Sequence, residues 1–192
     1  MRIYLETERL WLREFMEGDA RLLWELDSDP AVRQYLDMPE APTPEQAAEV
    51  LARFIGWHAR DGGRLGYWAA IEKSTGAFIG WFHFRPARDI PEETEVGYRL
   101  QRASWRKGYA TEGAGALLRK GFTELGVTRV VARTLVENAA SRRVMEKIGL
   151  AEVDRYLYDN RLPAVKYGLD RDKYTEQRQE KTPGSVGPGA FV

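Results

Sequence analysis

The chain has 192 residues, of which 43% are hydrophobic and 30% are charged, which suits one compact domain and leaves little length for a second. Its 29 basic and 29 acidic residues balance, so no overall positive field favours nucleic acid. There is no cysteine, which excludes disulfides and a thiolate nucleophile, and no apolar run reaches the ~18 residues that cross a bilayer. We expect a soluble cytoplasmic protein that binds neither nucleic acid nor membranes.

The first third of the chain predicts one strand and two helices. Residues 9–15 alternate apolar and charged side chains, as a half-buried strand does. Residues 18–30 predict a short helix that ends before Pro30. The second helix begins after Thr43, where Pro44 fills the first helical position and Gln46 completes a capping box.

The middle of the chain contains three consecutive strand patterns, at residues 66–73, 77–85 and 94–100. Turn residues and one longer connection separate them, which predicts an antiparallel meander. An apolar stripe at helical spacing then runs from Ala110, and Gly126 is a natural stop for that helix.

The last third predicts a strand at residues 129–136, then a helix capped by Asn138 and ended by Gly149. A terminal strand pair follows. The final dozen residues, KTPGSVGPGAFV, are too rich in glycine and proline for regular structure. We divide the chain into a domain of residues 1–172 and a C-terminal tail of residues 173–192, whose order the sequence leaves open.

The stretch WRKGYATEG, residues 105–113, places two basic side chains and a glycine before a predicted helix. Main-chain N–H groups at a helix N-terminus bind anions. Gly108 and Ala110 leave room for phosphate oxygens at these amides. Arg106 and Lys107 add positive charge. From these residues alone, a pyrophosphate-binding loop and a solvated basic turn remain equally open.

Two other phosphate-binding patterns fit the same stretch less well. A P-loop ends in Gly-Lys, whereas here Lys107 precedes Gly108. Residues 108–113 approximate the dinucleotide fingerprint G-x-G-x-x-G, and Glu137 follows the next strand. That fingerprint requires a buried parallel strand directly before its first glycine, but the preceding pattern alternates and ends at Leu100. A nicotinamide-dinucleotide site is therefore the less favoured alternative.

A second motif, NAASRRVMEKIGL at residues 138–150, changes this balance. Together with WRKGYATEGAGALLRKGF, residues 105–122, it resembles the acetyl-CoA-binding motifs of the GNAT N-acetyltransferase superfamily. The resemblance is closer to the RimJ/RimL-like branch of ribosomal-protein N-terminal acetyltransferases and their relatives. TERLWLREF and EVGYRL, residues 7–15 and 95–100, support it, and it extends from Thr7 to about residue 169. The ordered set is far more specific than either motif alone.

The resemblance implies an α/β (α+β) architecture, the GNAT fold: a mixed, twisted, mostly antiparallel sheet with helices on both faces. Two central parallel strands, roughly residues 93–100 and 129–136, would splay apart so that the pantetheine arm enters between them. It also implies that acetyl-CoA is the cosubstrate, with no metal. Acetyl would pass to a primary amine, on a protein N-terminus or a small molecule, in a ternary complex without a covalent enzyme intermediate.

The resemblance further assigns cofactor-binding residues to the strand before the loop, to the loop and to the second motif. They are Tyr98, Arg99, Leu100, Arg106, Lys107, Gly108, Tyr109, Ala110, Thr111, Asn138, Ser141 and Arg143. The sequence departs from the family twice. Trp105 stands where many members have Arg or Gln. Tryptophan at this position is familiar in the RimJ/RimL-like branch. Met145 stands where many members have a tyrosine that acts as the general acid, and methionine has no proton to donate.

The reaction needs a base for the attacking amine and a donor for the departing thiolate. Glu95 occupies a frequent family position for the base, although it also fits a solvent-facing strand carboxylate. Ser141 can assist the thiolate, although it also fits an ordinary first-turn serine. A CoA-binding sensor without turnover therefore stays open as an alternative.

The acceptor is the least specified part of the sequence. The resemblance implies that acceptor loops vary while the cofactor site does not, and residues 27–43 and 156–163 are the candidates for these loops. Their acidic residues would suit a cationic acceptor, but they also fit solvated surface; they are Asp27, Asp29, Asp37, Glu40 and Asp159. A monomer and a homodimer are equally compatible with the sequence.

Overall fold

The computed structural model describes residues 2–60 and 62–180. One sheet contains the strands β1 (Ile3–Glu6), β2 (Leu10–Glu14), β3 (Gly66–Glu72), β4 (Phe78–Pro86), β5 (Thr94–Leu100), β6 (Arg129–Leu135), β7 (Ala151–Tyr158) and β8 (Leu162–Asp170). Their order across the sheet is β1-β2-β3-β4-β5-β6-β8-β7. Strands β5 and β6 are parallel, and the other neighbouring strands are antiparallel. The predicted mixed sheet is confirmed.

Helices cover both faces of this sheet, as predicted. They are α1 (Ala20–Ser28), α2 (Pro30–Arg33), α3 (Pro44–Arg60), α4 (Tyr109–Thr123), α5 (Ala139–Lys147) and α6 (Arg171–Glu180). The first three pack on one face, around Leu26 and Phe54, and the other three pack on the opposite face, around Leu117 and Phe122. None of the helices in the described residues combines the length and apolar character that crossing a membrane requires.

Local signals predicted most of these elements. The capping box is confirmed, because Thr43 Oγ1 accepts from the Gln46 amide at 3.3 Å and Gln46 Oε1 accepts from the Thr43 amide at 2.9 Å. Strand β1 was not predicted, since its four residues are held by pairing with β2 rather than by a pattern of their own. Helix α6 covers residues 171–180, where the tail was expected from residue 173. Residues 181–192 of that expected tail lie outside the described residues.

The side chains of strand β5 alternate between the two faces of the sheet. Val96, Tyr98 and Leu100 belong to the apolar layer beneath α4 and α5. Glu95 and Arg99 point to the other face, where they pair with Arg85 and Asp27. Alternation along a strand therefore assigns each side chain of EVGYRL to one side of the sheet.

The parallel pair opens after a short contact. Thr94 lies opposite Val130 and Glu95 lies opposite Val131, but the rest of β5 has no partner in β6. Beyond that point β5 pairs with β4 and β6 pairs with β8. The predicted splay is thus present, and it leaves two strand edges facing an opening.

Two glycines of α4 test the packing of this layer. A Cβ at Gly121 would lie 2.5 Å from Cζ of the fully buried Phe84, whereas a Cβ at Gly115 would meet Ile148 at an ordinary 3.6 Å. We expect Gly121→Ala to lower the free energy of unfolding by about 1–3 kcal/mol through overpacking. Gly115→Ala should raise it by roughly 0.5–1 kcal/mol, because alanine favours helix. Urea denaturation checks both, and equal effects would contradict the close packing of α4.

Candidate active site

The loop before α4 has the backbone of an anion cradle. Arg106 and Gly108 both adopt left-handed conformations, with φ of 61° and 86°. No residue in the described part of the chain accepts a hydrogen bond from the main-chain N–H groups of residues 106–111. Alternating backbone conformations that leave successive N–H groups free form a concave anion site, which the helix N-terminus reinforces. The predicted pyrophosphate loop therefore has suitable geometry.

Arg9 lies beside this loop, although the sequence analysis did not select it. Its Nη1 donates to the carbonyl oxygen of Lys107 at 2.9 Å, and its guanidinium lies 4.6 Å from the ring centroid of Tyr109. Glu112 holds it through a 2.7 Å hydrogen bond from Nε. A Cβ on Gly108 would lie 3.3 Å from Arg9 Nη2, so the loop and this cation are in contact.

The start of α5 faces the opening between β5 and β6. Asn138 is the predicted helix cap, since its side-chain oxygen accepts from the Ser141 amide at 3.0 Å. The Ser141 hydroxyl is therefore not the cap and lies 3.2 Å from the Tyr98 hydroxyl. This pair of hydroxyls joins β5 to α5 within the opening.

Burial raises the pKa of Tyr98 to about 12, and the hydrogen bond with Ser141 offsets part of this rise. The phenol thus stays protonated through the neutral range and keeps a proton to donate. When one hydroxyl donates to the other, the accepting hydroxyl still has its own proton to donate to a third group. The pair can therefore present a donor to a neighbouring group.

The other predicted cofactor-binding residues differ in which of their atoms are available to a cofactor. The Arg99 side chain lies on the far face of the sheet, paired with Asp27 at 2.5 Å, so only its main chain can face the opening. Leu100 is buried, and the hydroxyl of the buried Tyr109 donates to Glu72. Ala110 and Thr111 are half-buried and contribute free amides. Arg143 is exposed and has no ion pair within the described residues.

Trp105 connects the strand to the loop. Its indole Nε1 donates to the carbonyl oxygen of Leu100 at 2.8 Å. The side chain therefore ties the end of β5 to the cradle that follows it. This contact explains what tryptophan contributes at a position where many family members carry Arg or Gln.

Glu95 lies on the opposite face, in the wall of a cavity of about 380 Å³. Its carboxylate is mostly buried and contacts Arg85 at 2.9 Å and Arg133 at 3.5 Å. It is therefore neither a free surface carboxylate nor an isolated one.

Both predicted acceptor loops line this cavity. Tyr35, Leu36 and Asp37 come from the first loop, and Tyr156 and Tyr158 come from the second. Arg161 Nη2 joins the loops by pairing with Asp37 at 3.0 Å. The two segments therefore lie together at this cavity, and their role as acceptor loops stays a prediction.

Three of the five acidic residues of these loops contact an arginine. Asp27 binds Arg99, Asp37 and Asp159 bind Arg161, and Asp29 caps α2 through the Ala31 amide. Internal pairing therefore removes part of the negative charge that these loops offer a cationic acceptor, while Asp29 and Glu40 have no ion pair among the described residues. The structure thus weakens the argument from loop composition for a cationic acceptor.

The dinucleotide interpretation loses its structural premise. In the described part of the chain, β5 and β6 are the one parallel pair, and a 3-10 turn at residues 102–104 separates β5 from Gly108. A doubly wound parallel sheet is therefore absent there. In those same residues, no group of three His, Asp or Glu side chains is placed to hold a metal ion.

Comparison with known proteins agrees with this geometry. A family model described as an acetyltransferase (GNAT) domain matches residues 9–151. The chain is 28% identical to the uncharacterized N-acetyltransferase YoaA of Bacillus subtilis over 83% of the chain and 90% of YoaA. It is 30% identical to the FsC-acetyl coenzyme A-N(2)-transacetylase of Aspergillus fumigatus, over 90% of the chain and 76% of that protein.

One solved structure bears on the predicted branch. RimL, a ribosomal L7/L12 alpha-N-protein acetyltransferase in complex with coenzyme A, aligns with a TM-score of 0.75 and 20% identity, over 90% of this chain and 99% of RimL. At that identity the likeness establishes the fold. The RimJ/RimL-like branch stays a prediction.

The Tyr98 hydroxyl predicts a specific pH dependence of stability. The unfolded phenol loses its proton near pH 10, whereas the native phenol keeps its proton to about pH 12. The raised native pKa stabilises the fold below pH 10, and we expect this contribution of roughly 2–3 kcal/mol to disappear between pH 10 and 12. Tyr98→Phe should flatten that part of the pH profile.

Tyr158→Phe is the matched control, because Tyr158 is exposed and lines the cavity on the other face. Urea denaturation between pH 9 and 12 measures the effect in both variants. If Tyr98→Phe and the parent chain lose stability equally across this range, the hydroxyl pair is not buried as described.

Proposed function

Since the chain belongs to the GNAT acetyltransferase family, we propose that it moves acetyl from acetyl-CoA directly to a primary amine in a ternary complex. The acceptor is a protein N-terminus or a small molecule. The observation that carries this proposal is the opening between β5 and β6, which has the amide cradle at one end and the Glu95 cavity on the far face. A donor and an acceptor can therefore meet across the sheet without a covalent enzyme intermediate.

The cofactor contacts follow from what the cradle leaves unsatisfied. The free amides of residues 106–111 suit the pyrophosphate, and Arg106 and Lys107 supply positive charge around them, while Arg9 is paired with Glu112. Asn138 caps α5 with its oxygen, so its side-chain N–H groups are left to donate to a cofactor amide carbonyl. Arg143 is the other exposed cation available to a phosphate.

Glu95 is the proposed base. Its mostly buried carboxylate lies in the cavity wall, where an ammonium group can approach and lose a proton to it directly or through a water. Arg85 and Arg133 fix the carboxylate in one orientation. Glu93 is a weaker candidate because Glu95 lines this cavity and Glu93 does not. Glu93 is instead held by Lys166 at 2.5 Å and Arg129 at 3.0 Å.

Ser141 is the proposed donor to the leaving thiolate, with Tyr98 behind it. Acetyl-CoA supplies the thioester that the amine attacks. The Tyr98 hydroxyl can donate to Ser141 while the Ser141 hydroxyl donates to the sulfur. Because the Tyr98 pKa is raised to about 12, the pair holds its protons at neutral pH. This arrangement fills the role that Met145 leaves vacant.

Binding of the donor is the first test. We expect acetyl-CoA to raise the melting temperature and NAD to leave it unchanged, because ligands stabilise only the state that binds them. Gly108→Ala should weaken acetyl-CoA binding about tenfold, because its methyl group would lie at the amide cradle and contact Arg9. The left-handed conformation separately costs roughly 1–2 kcal/mol of stability once the residue has a Cβ.

Gly126→Ala is the matched control, because Gly126 also has a positive φ, of 72°, and nothing lies within 4 Å of its added Cβ. Both variants should lose similar stability, and only Gly108→Ala should lose affinity in calorimetric titration. Stabilisation by NAD rather than acetyl-CoA would overturn the assignment of the donor.

The two catalytic roles differ in their pH dependence. Glu95→Gln should lower kcat by roughly 10² to 10⁴, and the loss should shrink as pH approaches the acceptor's own pKa, where free amine is abundant. Ser141→Ala should also lower kcat, but rising pH should not restore it, because the leaving group is unchanged. Steady-state thiol release measures kcat for both variants, and single-turnover experiments show whether chemistry limits it.

Glu92→Gln is the control for Glu95, since Glu92 is an exposed carboxylate three residues away. It should leave kcat unchanged. If Glu95→Gln retains near-normal kcat at pH 7 while chemistry is rate-limiting, the base lies elsewhere or no side chain performs that role.

A further inference from the structure

A second cavity, of about 430 Å³, adjoins the Glu95 cavity on the same face of the sheet. It lies between α3 and the end of β4. Three arginines line it, Arg53, Arg85 and Arg88, together with the aromatic side chains of Phe54, Trp57 and Tyr67. Arg85 and Arg88 also line the first cavity, so the two spaces share a wall.

The charge in this second cavity is positive after internal pairing. None of its described lining residues is acidic. Arg53 and Arg88 are exposed, and neither forms an ion pair or hydrogen bond with any residue that the structure describes. Such unpaired guanidinium groups repel the ammonium group of a ligand, and they match the two oxygens of a carboxylate or phosphate.

Arg85 adds a buried donor to the shared wall. Its side chain is only 8% exposed, its Nη2 contacts Glu95 at 2.9 Å, and its Nη1 donates to the Pro86 carbonyl at 2.9 Å. Its Nε is buried and has no partner among the described residues. Arg85 therefore brings a buried cation with unused donor capacity to the wall that the two cavities share.

We propose that the second cavity binds an oxyanion, carboxylate or phosphate, carried by the same acceptor whose amine reaches Glu95. The apolar part between the two groups packs against Trp57 and Tyr67. This inference rests on the proposed function for the identity of the ligand as an acceptor. It makes the preferred acceptors zwitterionic or anionic amines rather than polyamines.

Matched acceptors test the proposal by turnover. We expect 4-(aminomethyl)benzoate to have a kcat/KM at least about fivefold above that of 4-(aminomethyl)benzamide, which keeps the same amine and removes the anion. The difference should shrink with added salt. 4-(Aminomethyl)phenylphosphonate, compared with the benzoate, shows which oxyanion is preferred.

Arg53→Gln isolates the second cavity, since Arg53 lines only that space. It should bring the ratio of benzoate to benzamide kcat/KM close to one. Arg119→Gln is the control, because Arg119 is an exposed arginine on α4, which packs on the other face of the sheet, and it should leave the ratio unchanged. Equal kcat/KM values for the two acceptors in the parent chain overturn the proposal.

A binding experiment separates this proposal from the proposed function. 4-Methylbenzoate has the oxyanion but no amine, so its calorimetric binding relative to 4-methylbenzamide does not depend on acetyl transfer. Tighter binding of the benzoate that is lost in Arg53→Gln supports the site even if no amine is acetylated. Equal binding of the two probes overturns the site even if acetylation is observed.

Discussion

The parting of β5 and β6 is the constraint around which the site is arranged. Pairing stops after Glu95 and Val131, so the remaining main-chain groups along the opening have no ladder partner on that side. Buried N–H and C=O groups require hydrogen bonds, and an extended ligand with amides of its own can supply them. The opening thus favours a long, amide-bearing ligand over a compact one.

Charged side chains hold the closed end of this opening. Glu93, 7% exposed, contacts Arg129 on β6 and Lys166 on β8, while Glu95 contacts Arg133. These contacts join three strands on the face that carries the Glu95 cavity. Buried ion pairs of this kind add little net stability but cost several kcal/mol when one partner is removed, which makes them sensitive to register. The place where the strands separate is therefore fixed by side chains as well as by main-chain pairing.

Local chemistry made much of the molecule predictable. The Thr43 capping box, the Asn138 cap and the alternation of β5 depend on residues a few positions apart. Contacts between distant segments were not predictable in this way. Arg9 reaches Lys107 across 98 positions, and the partners of Glu95 come from β4 and β6. Nothing in a single sequence states which arginine will lie beside which carboxylate.

Arg99 shows where local reasoning could have gone further. The motif includes it, yet strand alternation places its side chain with Glu95 and away from Tyr98, and the Asp27 ion pair follows from that placement. The acidic residues of the two acceptor loops show the same limit, because their composition does not reveal which charges are paired in the fold. A ligand responds to the charge that remains after internal pairing, and here two arginines, Arg99 and Arg161, pair with three of the five loop carboxylates, while Arg53 and Arg88 pair with no described residue. Composition alone indicated a negative acceptor site, but the folded arrangement leaves positive charge next to it, because pairing depends on which segments meet.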